Sequence, residues 1–194
     1  RGEMQKIIIG LAGQKGAGKG TFVEFLTAEA QKRNLTIQAF KSSDILTAML
    51  KAGGIPIIRE NMQILASLLV SGFGKDIISE SVRVKLEESS AHIVIFDGVR
   101  WLSDIQMIRK FTGGKLVFIS AEKMNRYTRI KNRGEKPEEK NLSLSQFEAE
   151  EEAPTEIFIP QIQEMADFVI ENNESKKTFR QEAEHFFKNQ ISGN

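Results

Sequence analysis

Residues 13–21 read Gly13-Gln14-Lys15-Gly16-Ala17-Gly18-Lys19-Gly20-Thr21. An apolar run, Ile7-Ile8-Ile9-Gly10-Leu11-Ala12, stands directly before them, and a helical pattern from Phe22 to Gln31 directly after. Strand, glycine-rich turn and helix, in that order, is the context a phosphate-binding loop requires. Glycines let successive backbone N–H groups converge on one anion without obstruction by a Cβ. The helix N-terminus behind the loop adds partial positive charge, and Lys19 brings a mobile ammonium to the outer phosphates. The pattern predicts binding of a nucleoside triphosphate through its phosphates. A dinucleotide-binding turn fits less well. It has no use for a Gly-Lys pair, and no acid ends the second strand region, Thr36 to Phe40. Such loops usually place Ser or Thr right after the lysine, where the hydroxyl holds Mg²⁺; here Gly20 stands there and Thr21 follows.

The rest of the chain reads as alternating short β-rich runs and helical periodicity. Strands are expected at Lys6–Leu11, Thr36–Phe40, His92–Phe96, Lys115–Ser120 and Phe168–Glu171. Alternation with helices predicts an α/β fold, a five-stranded parallel sheet with helices on both faces. Ligands in such sheets bind at the carboxyl ends of the strands. Gly13 to Thr21, Lys41 to Asp44, Asp97 to Arg100 and Ser120 to Lys123 all fall on that edge. Length and composition suit a single domain over 1–194: the hydrophobic content is 40 % and the charged content 27 %.

Composition also narrows the chemistry. The net charge of +1 gives no global field for polymeric nucleic acid or an anionic membrane. There are no cysteines and two distant histidines, His92 and His185, so a cysteine-ligated zinc site is impossible and both histidines read as structural. The apolar runs are strand-length, and no leader is read before the first strand, so a cytoplasmic protein is expected.

Several segments along the strand-end edge carry candidate chemistry. Asp97 ends a buried strand, Ile93-Val94-Ile95-Phe96-Asp97, where a Mg²⁺-organising carboxylate belongs, and Arg100 follows close enough to fork onto a phosphate. The plainer reading makes Asp97 a turn cap and Arg100 a surface partner. Ser43 and Asp44 open a helix after the second strand, either as caps or as groups facing a substrate. Arg59 opens the next helix against the dipole preference for acids there, a mild pointer to function. Arg126, Arg129 and Arg133 are spaced to share a helix face beside the Gly134/Pro137 stretch. Together they would close over transferring phosphates, the empty lid staying open through mutual repulsion; the plainer reading is a basic solvated face paired with Glu135, Glu138 and Glu139. The acidic run Glu148–Glu152 reads as a solvated helix face. Met62, Leu65, Leu68 and Leu69 read as core, as do Phe179, Ala183, Phe186 and Phe187 in the last helix.

Taken in order, Gly-x-x-Gly-x-Gly-Lys-Gly-Thr, Ser-Ser-Asp, Arg59, Asp97-Gly98-Val99-Arg100 and the arginine-bearing segment resemble the P-loop nucleoside monophosphate kinases of the adenylate kinase type. The middle of the chain is also similar to phage-type deoxynucleoside monophosphate kinases and to dephospho-CoA-kinase-like ATP-binding proteins, and Asp97 to Ile105 resembles part of animal phosphomevalonate kinase. The resemblance implies a P-loop NTPase fold of the nucleoside monophosphate kinase type, with an acceptor-binding helical segment at about 42–90 and a lid at about 123–141. It implies ATP and Mg²⁺, with Gly13, Gly16, Ala17, Gly18, Lys19, Gly20 and Thr21 on the ATP phosphates. Arg59 and Arg100 would hold an acceptor phosphate, and Arg126, Arg129 and Arg133 would bridge the γ-phosphate. Asp97 would order the Mg²⁺ waters, with Thr21 beside it. The acceptor ranks as a nucleoside or deoxynucleoside monophosphate first, dephospho-CoA second and another phosphorylated metabolite third. A regulatory NTPase without an acceptor is the alternative of another class.

Overall fold

The computed structural model describes residues 5–133 and 137–191. Five strands, β1 (Ile7–Ala12), β2 (Ile37–Phe40), β3 (Ile93–Asp97), β4 (Lys115–Ser120) and β5 (Phe168–Glu171), form one sheet in the order β2-β3-β1-β4-β5. Every pairing is parallel. The five strands match the sequence expectation to within a residue at each end. A short helix, α7 (Pro137–Lys140), was not foreseen in the most polar stretch, where Gly134 lies outside the described residues.

Side-chain alternation on the strands separates two cores. Ile7, Ile9 and Leu11 of β1, Ile93 and Ile95 of β3, and Val117 and Ile119 of β4 face α1 (Lys19–Gln31) and α10 (Lys176–Gln190). Ile8, Val94, Phe96, Leu116 and Phe118 face α4 (Ile77–Glu88), α5 (Leu102–Arg109) and α9 (Ile159–Met165). The three central strands are covered on both sides, as their unbroken apolar runs require. The edge strands β2 and β5 are only partly covered, because each has neighbours on one side alone and carries polar residues.

Aromatic packing ties the last helix to the first. Phe22 lies 5.7 Å from Phe186, and Phe25 meets Phe179 edge-on at 5.8 Å, between ring centroids. As read from the sequence, Phe179, Ala183, Phe186 and Phe187 are all buried. This clamp fixes the axis of α1, and so fixes the loop at its N-terminus.

Helix α2 (Ser42–Ala52) touches the second core through Ile45, whereas α3 (Arg59–Phe73) contributes to neither core. The core expectation for α3 fails at Leu68, which is 64 % exposed, while Met62, Leu65 and Leu69 are only partly buried. The helix is apolar on two faces, and α2 and α4 cover just one. Leu86→Ala, in the core beside β3, should lower stability by roughly 2–5 kcal/mol. Leu68→Ala should change it by no more than about 0.5 kcal/mol. Urea denaturation of the two variants checks this; equal losses would mean that α3 is covered in solution.

Candidate active site

The loop after β1 turns on glycines held at positive φ, and two of them are required by what packs against them. Gly16 has φ +80°, and a Cβ there would stand 2.7 Å from the Arg126 carbonyl of α6 (Lys123–Arg133). Gly18 has φ +105°, and a Cβ there would collide with the Asn172 amide after β5. Glycine thus lets α6 and the β5 end seat directly on the loop. Asn172 completes the seat: its Nδ2 donates to the Ala17 carbonyl at 2.8 Å. Gly18 also stands at the N-cap of α1 without a side chain to offer, so the first amides of the helix face the loop mouth uncapped.

Lys19 curls back over this loop. Its Nζ donates to the Gly13 carbonyl at 2.5 Å and reaches the Gln14 carbonyl at 3.4 Å. Its pKa is lowered to about 8, first by burial of the ammonium; Arg100, Lys41 and Arg126 push the same way and Asp97 opposes them. These four side chains therefore converge on Lys19 from the β2, β3 and α6 ends. Asp97 is buried at the tip of β3, with Lys41 Nζ 3.5 Å from its Oδ2. Arg100 has its pKa lowered by burial, against Asp104 and Asp97. Its backbone N–H is fixed by Asp104 Oδ2 at 2.9 Å, while Asp104 Oδ1 accepts from Ser79 at 2.6 Å.

The three arginines of α6 each take a different protein partner. Arg126 is 3 % exposed; it donates to the Ala121 carbonyl at 3.0 Å, stacks over Phe147 and pairs with Glu151. Arg129 donates to the Asn172 carbonyl at 2.7 Å, and its Nη1 is buried with no partner among the described residues. Burial lowers its pKa. Arg133 pairs with Glu139 at 3.0 Å. Nor is the segment poor in apolar anchors: Ile130, Leu142 and Phe147 form a small core with Tyr127. Arg126 is already docked on the loop, held there by Glu151.

That pairing corrects the reading of the acidic run. Helix α8 (Leu144–Glu151) does not show its acids to solvent alone. Glu151 Oε1 also accepts from Gln14 Nε2 at 2.9 Å, Glu150 pairs with Lys15 at 2.8 Å, and Glu148 pairs with Lys123 at 2.9 Å. Just beyond, Glu156 pairs with Arg100.

Among the other expected residues, Thr21 lies within the first turn of α1, half-buried, and Gly20 is exposed beside it. Ser43 and Asp44 are exposed at the start of α2, and Asp44 Oδ2 accepts from the Lys41 backbone N–H at 2.7 Å, a helix-capping bond. Arg59 opens α3, and its side chain lies outside what the structure describes. Tyr127 packs on Phe147 and donates to the Leu142 carbonyl at 2.9 Å, while Trp101 is exposed. His92 bonds Thr36 and His185 bonds Asn189, as structural histidines do. Among the described residues no three His, Cys, Asp or Glu side chains converge as a metal site, and no helix is long and apolar enough to cross a membrane. Sequence reasoning missed Asn172, gave Gln14 and Lys41 no role of their own and read the glutamates of α8 as solvated. The strand-end rule already pointed to Asn172, since it follows β5 directly.

No family model matches the chain. It is 29 % identical over 171 residues to a UPF0200 protein of Methanocaldococcus jannaschii, covering 87 % of this chain and 83 % of that one. A UPF0200 protein of Hyperthermus butylicus is 26 % identical over 178 residues, with 92 % and 91 % covered. Among solved structures, TT1252 from Thermus thermophilus matches with TM-score 0.60 and 17 % identity, over 96 % of this chain and 98 % of that one. Shikimate kinase from Bacteroides thetaiotaomicron matches with TM-score 0.56 and 16 % identity, over 94 % and 97 %. The chain thus shares its fold, a five-stranded all-parallel sheet with helices on both faces, with these structures.

The Lys19 environment has a consequence for stability. Its folded pKa lies below its unfolded one, so the native state carries a cost that is fully present below about pH 8 and relieved as pH rises from about 8 toward 10.5. Over that window the wild type should gain roughly 1–2 kcal/mol, after allowance for solvent screening, that Lys19→Met does not. Denaturant titrations of both proteins at the two ends of the window measure it; identical pH profiles would refute the cationic environment.

Proposed function

We propose that the chain is an ATP-dependent small-molecule kinase that moves the γ-phosphoryl group to a nucleoside or deoxynucleoside monophosphate. The observation that carries the reading is the gathering of Lys41, Asp97, Arg100 and Arg126 around Lys19, on a glycine loop at the strand-end edge. Such a field suits phosphoryl transfer, which needs in-line positioning and charge neutralisation more than covalent help. Arg129 Nη1, buried without a partner among the described residues on the Asn172 side of the loop, supports an anion beside it.

On this reading the backbone of Gly13, Gly16, Ala17, Gly18, Gly20 and Thr21 cradles the ATP phosphates, and Lys19, Arg126 and Arg129 carry the charge of the transferring group. Asp97, through water, and Thr21 supply the oxygen donors that Mg²⁺ prefers. Bound there, the ion would neutralise phosphate charge. Arg100 and Arg59 hold the acceptor phosphate, within an acceptor segment at about 42–90 that includes Ser43 and Asp44. A lid at about 123–141, of which 134–136 lie outside the described residues, excludes water. An oxygen of the acceptor phosphate attacks the γ-phosphorus, the bond to the β-phosphate oxygen breaks, and ADP leaves. An ionised phosphate needs no general base, which accords with the use of Asp44 Oδ2 as a helix cap.

Lys19→Ala should abolish ATP turnover with a nucleoside monophosphate panel and leave the circular dichroism spectrum unchanged. Near-normal turnover by a folded variant would sink the assignment. Arg59→Ala and Arg100→Ala should weaken acceptor use by roughly 1.5–3 kcal/mol, seen as a higher KM or lower kcat, with ATP affinity close to wild type. Loss of ATP affinity alone would show that donor and acceptor sides are wrongly divided. ATP hydrolysis indifferent to every acceptor would favour a regulatory NTPase.

A further inference from the structure

We infer that residues 148–156 form an internal anionic strap: their carboxylates hold the cations around the phosphate loop in place of phosphate and must release them when a polyphosphate binds. The inference rests on reading the loop as a polyphosphate site. Four carboxylates from this one segment reach cations on three separate elements. Glu150 takes Lys15 of the loop, Glu148 and Glu151 take Lys123 and Arg126 of α6, and Glu156 takes Arg100 after β3. Two of those cations, Arg100 and Arg126, belong to the group that surrounds Lys19.

The local sequence runs against helix preference in a way that fits this use. The last turn of α8 holds acids and no base, at the end of the helix where the dipole disfavours negative charge. A carboxylate cluster there is costly unless cations answer it, and the loop supplies them. Pro154 then turns the chain away from a helical path. The segment is pinned at both ends by fully buried side chains, Phe147 and Ile159, while no residue between them is buried. It is thus tethered, yet held against the loop mostly by exposed charge pairs, which are weak. A triphosphate presents more charge at shorter range than separate carboxylates do, so it wins the exchange.

The device would keep the cation cluster neutralised in the empty protein and would disfavour anions of low charge. The test is calorimetric titration of the full chain with inorganic tripolyphosphate, and separately with ATP, against the double variant Glu150→Gln/Glu156→Gln. Both residues make their pairs in part-exposed positions, so folding should survive. Glu151→Gln is the second variant, since it keeps the shape beside Arg126. The double variant should bind tripolyphosphate roughly tenfold tighter, about threefold for each lost carboxylate. Amides of 148–156 in the wild type should lose hydrogen-exchange protection when tripolyphosphate binds. Unchanged or weaker binding by both variants, with wild-type binding intact, would overturn the strap and leave the phosphate site standing. No binding of either probe by any of the proteins would overturn the site itself, and the strap with it.

Discussion

The contact between the Lys19 ammonium and the carbonyls of Gly13 and Gln14 links the sheet to the chemistry. It requires a loop that folds back over its own lysine, which in turn requires glycine at the turn positions. Those glycines also leave the loop without side-chain bulk, so α6 and the end of β5 press against it. The result is a site whose walls come from β3, α6 and β5 although its floor comes from β1. The α1–α10 aromatic clamp sets the position of that floor.

Charge then determines what such a site can tolerate. Lysine and arginine side chains brought together repel one another; the Lys19 pKa falls to about 8 first because its ammonium is buried and then because Arg100, Lys41 and Arg126 stand near it. An open lid would have relieved the repulsion by distance. The protein instead relieves it with carboxylates: Asp97 within the site, Glu151 and Glu156 from outside it. The arrangement explains how Arg126 can be buried beside a cationic loop, since burying a charge is costly unless it is paired and hydrogen-bonded.

Much of this was legible in the sequence. The loop, its flanking strand and helix, and Asp97 at a strand end are local patterns, each with one physical reason. The five parallel strands followed from periodicity, and the core residues of α10 from helical spacing. What was not legible depended on tertiary approach. The acids of α8 look like any solvated face until α8 is seen against Lys15 and Arg126. The Arg133–Glu139 pair is among those the sequence offered, but the partners of Arg126 and Arg129, Glu151 and Asn172, come from distant segments that spacing does not foresee. Leu68 has the spacing of a core residue but lies on a helix that neither core reaches.

The most direct test of the account is a crystal structure of the protein with a non-hydrolysable ATP analogue. The account predicts the β-phosphate within the backbone amides of residues 13–21, Lys19 turned from the Gly13 carbonyl onto the phosphates, and Arg126 bonded to phosphate in place of Glu151. A nucleotide bound elsewhere, or one bound in the loop with Lys19 still on the Gly13 carbonyl, would contradict it.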